Sequence, residues 1–85
     1  MIKEINEFGW WAMIVYDPFW RTLKLRGSSS YQLIHKHGYS SHTLFRMRHN
    51  LGISTALIDD LCELLDCKVE DILEYVPESK TKKLP

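Results

Sequence analysis

The chain has 85 residues, 45% of them hydrophobic, with 11 basic and 11 acidic side chains, so its formal net charge is zero. That length supports one small domain, and the apolar content is ample for its core without metal or disulfide. No apolar run suits a membrane span and no charged-then-apolar leader precedes a small-residue cleavage site, so the expected location is cytoplasmic with no membrane partner.

The two cysteines, Cys62 and Cys67, are five apart in the apolar C-terminal half. This is not metal-ligand spacing, and buried reduced thiols are the expectation. The neutral total conceals a segregation of charge. Between Pro18 and Ile58 there is no Asp or Glu, yet Arg21, Lys24, Arg26, Lys36, Arg46 and Arg48 fall there with all four histidines, His35, His37, His42 and His49. From Asp59 to Glu78 the sign reverses, with eight acidic residues against Lys68. A basic block beside an acidic block predicts one cationic face and an anionic partner.

In chain order, residues 1–14 read as an N-terminal extension. Phe8, Trp10, Trp11, Ile14, Val15 and Tyr16 are aromatic or β-branched, and Gly9 disfavours a helix, so residues 10–16 are expected to be extended, as a strand. Met13 offers an alternative start, which would make residues 1–12 an addition to the core domain. Residues 15–77 read as the domain itself. Asp17-Pro18 signals a helix start, with aspartate as cap and proline in the first turn, and the helix runs to about Arg26 with Trp20 and Leu23 inward. Ser29 and Gln32 suit a capping box for a second helix, residues 30–37. A third helix follows over residues 41–49. Ser54 caps a fourth, Thr55 to Leu65, with Leu57, Ile58, Leu61, Cys62 and Leu65 at helical spacing. A short fifth helix is expected around Val69 to Glu74, contributing Val69, Ile72 and Leu73, and residues 78–85 form a polar, disordered tail.

The second and third helices carry the functional signal, SYQLIHKHGYSSHTLFRMRH over Ser30 to His49. Leu33 and Ile34 give the first an apolar side, and Leu44 and Met47 do the same for the second. Gly38 lies between them, where a chain leaving a helix takes a left-handed conformation, and Ser40 is placed to accept from the open amides of the following helix. That is the pattern of a helix-turn-helix, whose second helix enters the DNA major groove.

This stretch resembles the Cro and phage-repressor-like helix-turn-helix regulators, the xenobiotic-response-element (XRE) family. The spacing of Leu33, Gly38, Leu44 and Met47 is similar to the family's apolar skeleton. LIDDLCELLDCKVEDILEYVP resembles the leucine-rich helix, short acidic helix and Tyr-Val-Pro end of a compact bacterial subgroup. The resemblance spans about Val15 to Pro77. It implies an all-α fold of five helices, lambda-repressor-like, and a sequence-specific DNA-binding transcription regulator, more a repressor than an activator because nothing resembles a polymerase-recruiting addition. Two positions depart from the family pattern: Ile34 stands where members carry a small alanine, and Ser30 where many carry a phosphate-bonding glutamine.

Groove geometry assigns the contacts. On the third helix Ser41, His42, Phe45 and Arg46 are expected at base edges, with Arg46 bidentate to guanine, His42 on a purine acceptor and Phe45 at a thymine methyl. Ser30, Tyr31, Arg48, His49 and Asn50 are expected at phosphates. The partner is double-stranded DNA. Phe8, Trp10, Trp11 and Ile14 are the spare apolar surface for a homodimer, with packing over the chain's own helices as the competing arrangement. The alternative function is a protein–protein interaction module on the same fold, such as an antitoxin or co-regulator, working through the acidic helices. No Ser-His-Asp order, glycine-rich phosphate loop or paired carboxylate motif is present, and the histidines lack ligand company, so neither an enzyme, a cofactor nor a metal site is expected.

Overall fold

The computed structural model describes residues 14–76. Four α-helices occupy most of this stretch: α1 (Asp17–Leu25), α2 (Ser30–His35), α3 (Ser41–Arg48) and α4 (Thr55–Leu65). Before them lies β1 (Ile14–Val15), and after them a 3₁₀ turn (Val69–Asp71) and β2 (Glu74–Tyr75). The two short strands pair antiparallel, Ile14 opposite Tyr75 and Val15 opposite Glu74, so the two ends of the described chain close on each other.

Serine caps set the starts of three helices. The Oγ of Ser29 accepts from the Gln32 amide, that of Ser40 from Thr43 and that of Ser54 from Leu57, each satisfying one donor that the helix itself leaves open. At α1 the expectation needs correction. Tyr16 occupies the cap position without a side-chain bond, and Asp17 is already helical. The helix entrance is held by tertiary bonds instead: the Phe19 amide donates to the Ile72 carbonyl at 3.2 Å, and Thr22 Oγ1 donates to the Asp71 carbonyl at 2.9 Å.

A second correction concerns the expected fifth helix. Residues 69–71 make a single 3₁₀ turn, closed by Asp71 Oδ2 accepting from the Lys68 amide at 3.0 Å. Glu74 and Tyr75 then give their backbone to β1, and a segment committed to a strand partner cannot continue a helix. The count is four α-helices rather than five. Val69, expected inward, is exposed, while Ile72 is fully buried.

The core is built from Tyr16, Phe19 and Leu23, Leu33, Leu44 and Met47, Leu61 and Leu65, and Ile72. Each helix thus contributes its expected apolar side. Ile34 packs half-buried at the margin of this core, which is how a residue larger than alanine is accommodated between α2 and its neighbours. Trp20, expected inward, also sits at the margin, its ring edge-on to Phe19 at 4.7 Å. On α4, Leu61 and Leu65 are buried, while Leu57, Ile58 and Cys62 are half-buried. Arg26 closes the C-terminal end of that helix, donating to the carbonyls of Leu65 at 2.8 Å and Asp66 at 2.9 Å. A cation there meets the negative end of the helix dipole.

Of the expected extended segment, Ile14 and Val15 form β1, and residues 10–13 lie outside the described residues, as do Phe8 and the 78–85 tail. Ile14, one of the four residues expected at a dimer contact, packs against the chain's own core. Among the described residues, no helix is long and apolar enough to cross a membrane.

Candidate nucleic-acid interface

The unit that presents α3 is the turn from α2. Gly38 has φ +80°, a conformation that costs a side-chain-bearing residue strain and glycine none. The Tyr39 amide then donates back to the Leu33 carbonyl at 3.0 Å, and Ser40 begins the next helix with its cap. Leu33, Leu44 and Met47 bury the facing sides of α2 and α3. The orientation of α3 is therefore fixed by core packing on one side and by its two ends.

Its C-terminal end is tied to the start of the domain. Asn50 adopts φ +57°, and its Oδ1 accepts from the Tyr16 amide at 3.2 Å. Tyr16, only 3% exposed, donates its hydroxyl to the Leu51 carbonyl at 2.8 Å. Burial is the main reason its phenol pKa is raised, partly offset by the positive charge of Arg46. Arg46 in turn donates its Nε to the Gly52 carbonyl at 3.0 Å. These bonds bring β1, the end of α3 and the loop to α4 into one rigid corner.

At 3.6 residues per turn, Ser41, His42, Phe45 and His49 project from the side of α3 opposite Leu44 and Met47. Phe45 is 51% exposed, so it is no part of the core. Its ring lies between two histidines, stacked nearly parallel with His42 at 6.3 Å and tilted against His49 at 4.3 Å. The outward face of α3 is thus an aromatic ridge edged with imidazole nitrogens. Arg46 lies half-buried on the α4 flank.

Arg48 leaves the opposite flank. Its guanidinium lies over the Trp20 ring at 4.4 Å, and its Nη2 donates to Ser30 Oγ at 2.9 Å, so one side chain joins α3 to α1 and to α2. Tyr31, 69% exposed, stands beside it on the first turn of α2, in ring contact with His35 at 4.3 Å.

Of the residues read as base-contacting, the fold brings Ser41, His42 and Phe45 to one outward face, while Arg46 also braces the loop after α3. Of those read as phosphate-contacting, Ser30, Tyr31 and Arg48 cluster on the α2 flank and His49 continues the ridge. Asn50 is turned to Tyr16. Trp20 was read only as a core residue, and its part beside Arg48 left no sequence signal, because the two are 28 positions apart.

On α4, Asp59, Asp60 and Glu63 are exposed, and burial and then the Asp60 charge raise the phenol pKa of Tyr39 in the turn between α2 and α3. Cys62 and Cys67 are free and half-buried rather than buried. The Cys67 thiol is pushed up to about 11, mainly by burial, with the charges of neighbouring Cys62 and Asp71 and a hydrogen bond to Cys62 adding to the rise and Arg26 opposing it. Among the described residues, no group of three His, Cys, Asp or Glu is placed to hold a metal ion.

This arrangement has relatives. No curated protein matches the chain. The crystal structure of the transcriptional regulator VanUg, form II, superposes with a TM-score of 0.69 at 29% identity, covering 78% of this chain and 88% of that one. The model of the Cro/C1-type helix-turn-helix DNA-binding domain matches residues 19–78, from the third residue of α1 through the 3₁₀ turn and β2. The chain belongs to the family of Cro/C1-type helix-turn-helix DNA-binding domains.

Proposed function

We propose that this protein is a sequence-specific transcription regulator that inserts α3 into the DNA major groove and represses by occupying its site. The observation that carries the reading is the outward face of α3. Exposed Phe45 and His42 and half-buried His49 stand together there, on a helix whose opposite side is locked into the core. A helix fits the width of the major groove, and an apolar ring suits a thymine methyl while an imidazole N–H suits a purine acceptor. Ser41 at the first turn adds a hydroxyl able to bond either kind of base edge.

Phosphates on one side of the groove fall to Ser30, Tyr31 and Arg48, and His49 adds to that set. Such contacts hold the domain in register without carrying sequence information. The segregation of charge supports the same orientation. The chain from Pro18 to Ile58, which contains α2 and α3, has no carboxylate to repel DNA. Arg46, which donates to Gly52, holds the corner after α3, and we assign it a base edge as well. Two copies bound to half-sites one DNA turn apart would supply the affinity that one small reading helix lacks, and the N-terminal aromatic residues Phe8, Trp10 and Trp11 are the surface we assign to that contact. The VanUg likeness supports a regulatory role.

Selection of duplexes from a random pool tests this reading. Phe45→Ala is expected to lower affinity for the selected duplex far more than for random DNA. Replacing contacted thymines by uracil, which removes only the methyl, is expected to weaken the wild type and leave Phe45→Ala unaffected. Equal losses on selected and random DNA would place a different face of α3 in the groove.

A further inference from the structure

Three helices meet at one side chain. Arg48 comes from the last turn of α3, lies with its guanidinium carbon over the ring of Trp20 from α1 at 4.4 Å, and donates from Nη2 to the hydroxyl of Ser30 on α2 at 2.9 Å. Trp20 is itself set by its edge-on contact with Phe19, which is fully buried, so the platform under the guanidinium is anchored in the core. A solvent-exposed arginine ordinarily samples many rotamers, and holding it costs conformational entropy that an exposed contact seldom returns. Here the ring face and the hydroxyl fix it from two directions.

The fixed guanidinium carries five N–H donors, and among the described residues Ser30 is the group that takes a hydrogen bond from it. The sequence from Pro18 to Ile58, which supplies all three partners, carries no carboxylate. A cation fixed by a ring face and a hydroxyl, with no carboxylate partner among the described residues and at the flank of the outward α3 face, is built for an external anion. A guanidinium offers two parallel donors to a phosphate, which a freely moving ammonium does not.

We propose that Trp20 is a positioning residue for DNA binding: it holds Arg48, with Ser30, as a preformed clamp for one backbone phosphate. This deepens the DNA-binding reading above and rests on it. The ring does not touch DNA in this account. It acts by setting the guanidinium before the phosphate arrives, so that the ordering cost is met in folding rather than in binding.

The test is the salt dependence of binding by the full chain to a labelled mixed-sequence duplex, measured between about 50 and 200 mM salt, where each phosphate contact contributes a slope of about 0.9. Arg48→Ala is expected to lower the slope by about that amount. Trp20→Leu is expected to lower it in the same direction and to weaken binding by about two- to thirtyfold, the range of a cation–π contact. Trp20→Phe, which keeps a ring face, should recover most of the loss, and Trp20→Leu added to Arg48→Ala should cost nothing further. Loss of folded protein alone would reduce binding without changing the slope, so the two causes separate. Should Trp20→Leu fail to fold, Arg48→Lys leaves the core untouched: it keeps the charge but not the guanidinium, and is expected to weaken binding about as much. An unchanged slope in Trp20→Leu, multiplied losses in the double variant, or wild-type affinity in Arg48→Lys would each overturn the clamp and make the contact a brace between helices. If the wild type itself fails to bind any duplex, the DNA-binding reading falls and the clamp with it.

Discussion

Removing one oxygen from Tyr16 tests how the reading helix is held. Tyr16→Phe keeps the ring, which is 3% exposed in the core, and deletes the donor that bonds the Leu51 carbonyl at 2.8 Å. The shape is unchanged, so no cavity is left, and the loss is that of one hydrogen bond with its acceptor left in place. Such a loss costs about 1 kcal/mol, which in a domain of this size lowers the thermal midpoint by about 4–8 °C. The alkaline side gives an independent check. Burial raises the Tyr16 pKa above its ordinary value of 10.0, so the folded state holds the proton longer than the unfolded chain does. The stabilisation is complete below about pH 10 and is lost as the pH climbs through the raised folded value. Phenylalanine has no proton to lose. The gap in stability between wild type and Tyr16→Phe should therefore be constant at neutral pH and shrink above about pH 10. Circular dichroism melts across this range measure it. Equal midpoints at neutral pH, or a gap that widens in alkali, would show that the tie from Tyr16 to the corner after α3 does not form as described.

Other outcomes follow from the same packing. Leu61, 1% exposed in the middle of α4, should cost about 2–5 kcal/mol on replacement by alanine, and urea unfolding would show a midpoint near zero denaturant. With its pKa near 11, Cys67 should be alkylated slowly at neutral pH, and its rate of reaction with iodoacetamide, read on a Cys62→Ser background, should climb with pH well past the range of an ordinary thiol. Arg46→Ala should loosen the loop after α3 by removing the bond to Gly52, seen as faster amide exchange at residues 50–53, along with weaker binding to every duplex. Sedimentation of the full chain beside one beginning at Met13 tests the proposed dimer contact: loss of a dimer in the shorter chain supports it, and monomers in both at tens of micromolar refute it.

Local chemistry made much of this fold legible. Serines before amphipathic runs gave three helix starts, and Gly38 gave the turn, because capping and left-handed backbone are decided within a few residues. The apolar stripe of Leu33, Leu44, Met47, Leu61 and Leu65 is likewise a local periodicity. What sequence could not carry was pairing over distance. Glu74 reads as helical in isolation, and only β1, some sixty residues earlier, makes it and Tyr75 a strand. The entrance of α1 looked capped by Asp17, whereas the Ile72 carbonyl satisfies it from the far end of the domain.

The candidate interface divides in the same way. Which residues lie on the outward side of α3 follows from helical spacing, and Ser41, His42 and Phe45 are where that spacing puts them. The uses of Arg46, Arg48 and Asn50 depend on what stands opposite each one. Gly52, Trp20 with Ser30, and Tyr16 are those partners, and only the folded chain brings them within reach.

Amide chemical-shift mapping shows whether α3 and the first turn of α2 form the DNA surface. The labelled full chain is titrated with a duplex taken from random-pool selection. Perturbations are expected to concentrate at residues 30–31 and 41–49, with the α4 amides of Asp59, Asp60 and Glu63 unmoved. Shifts confined to α4 and the 3₁₀ turn, or failure of the pool to yield any preferred duplex, would contradict this and favour a protein-binding role for the acidic face.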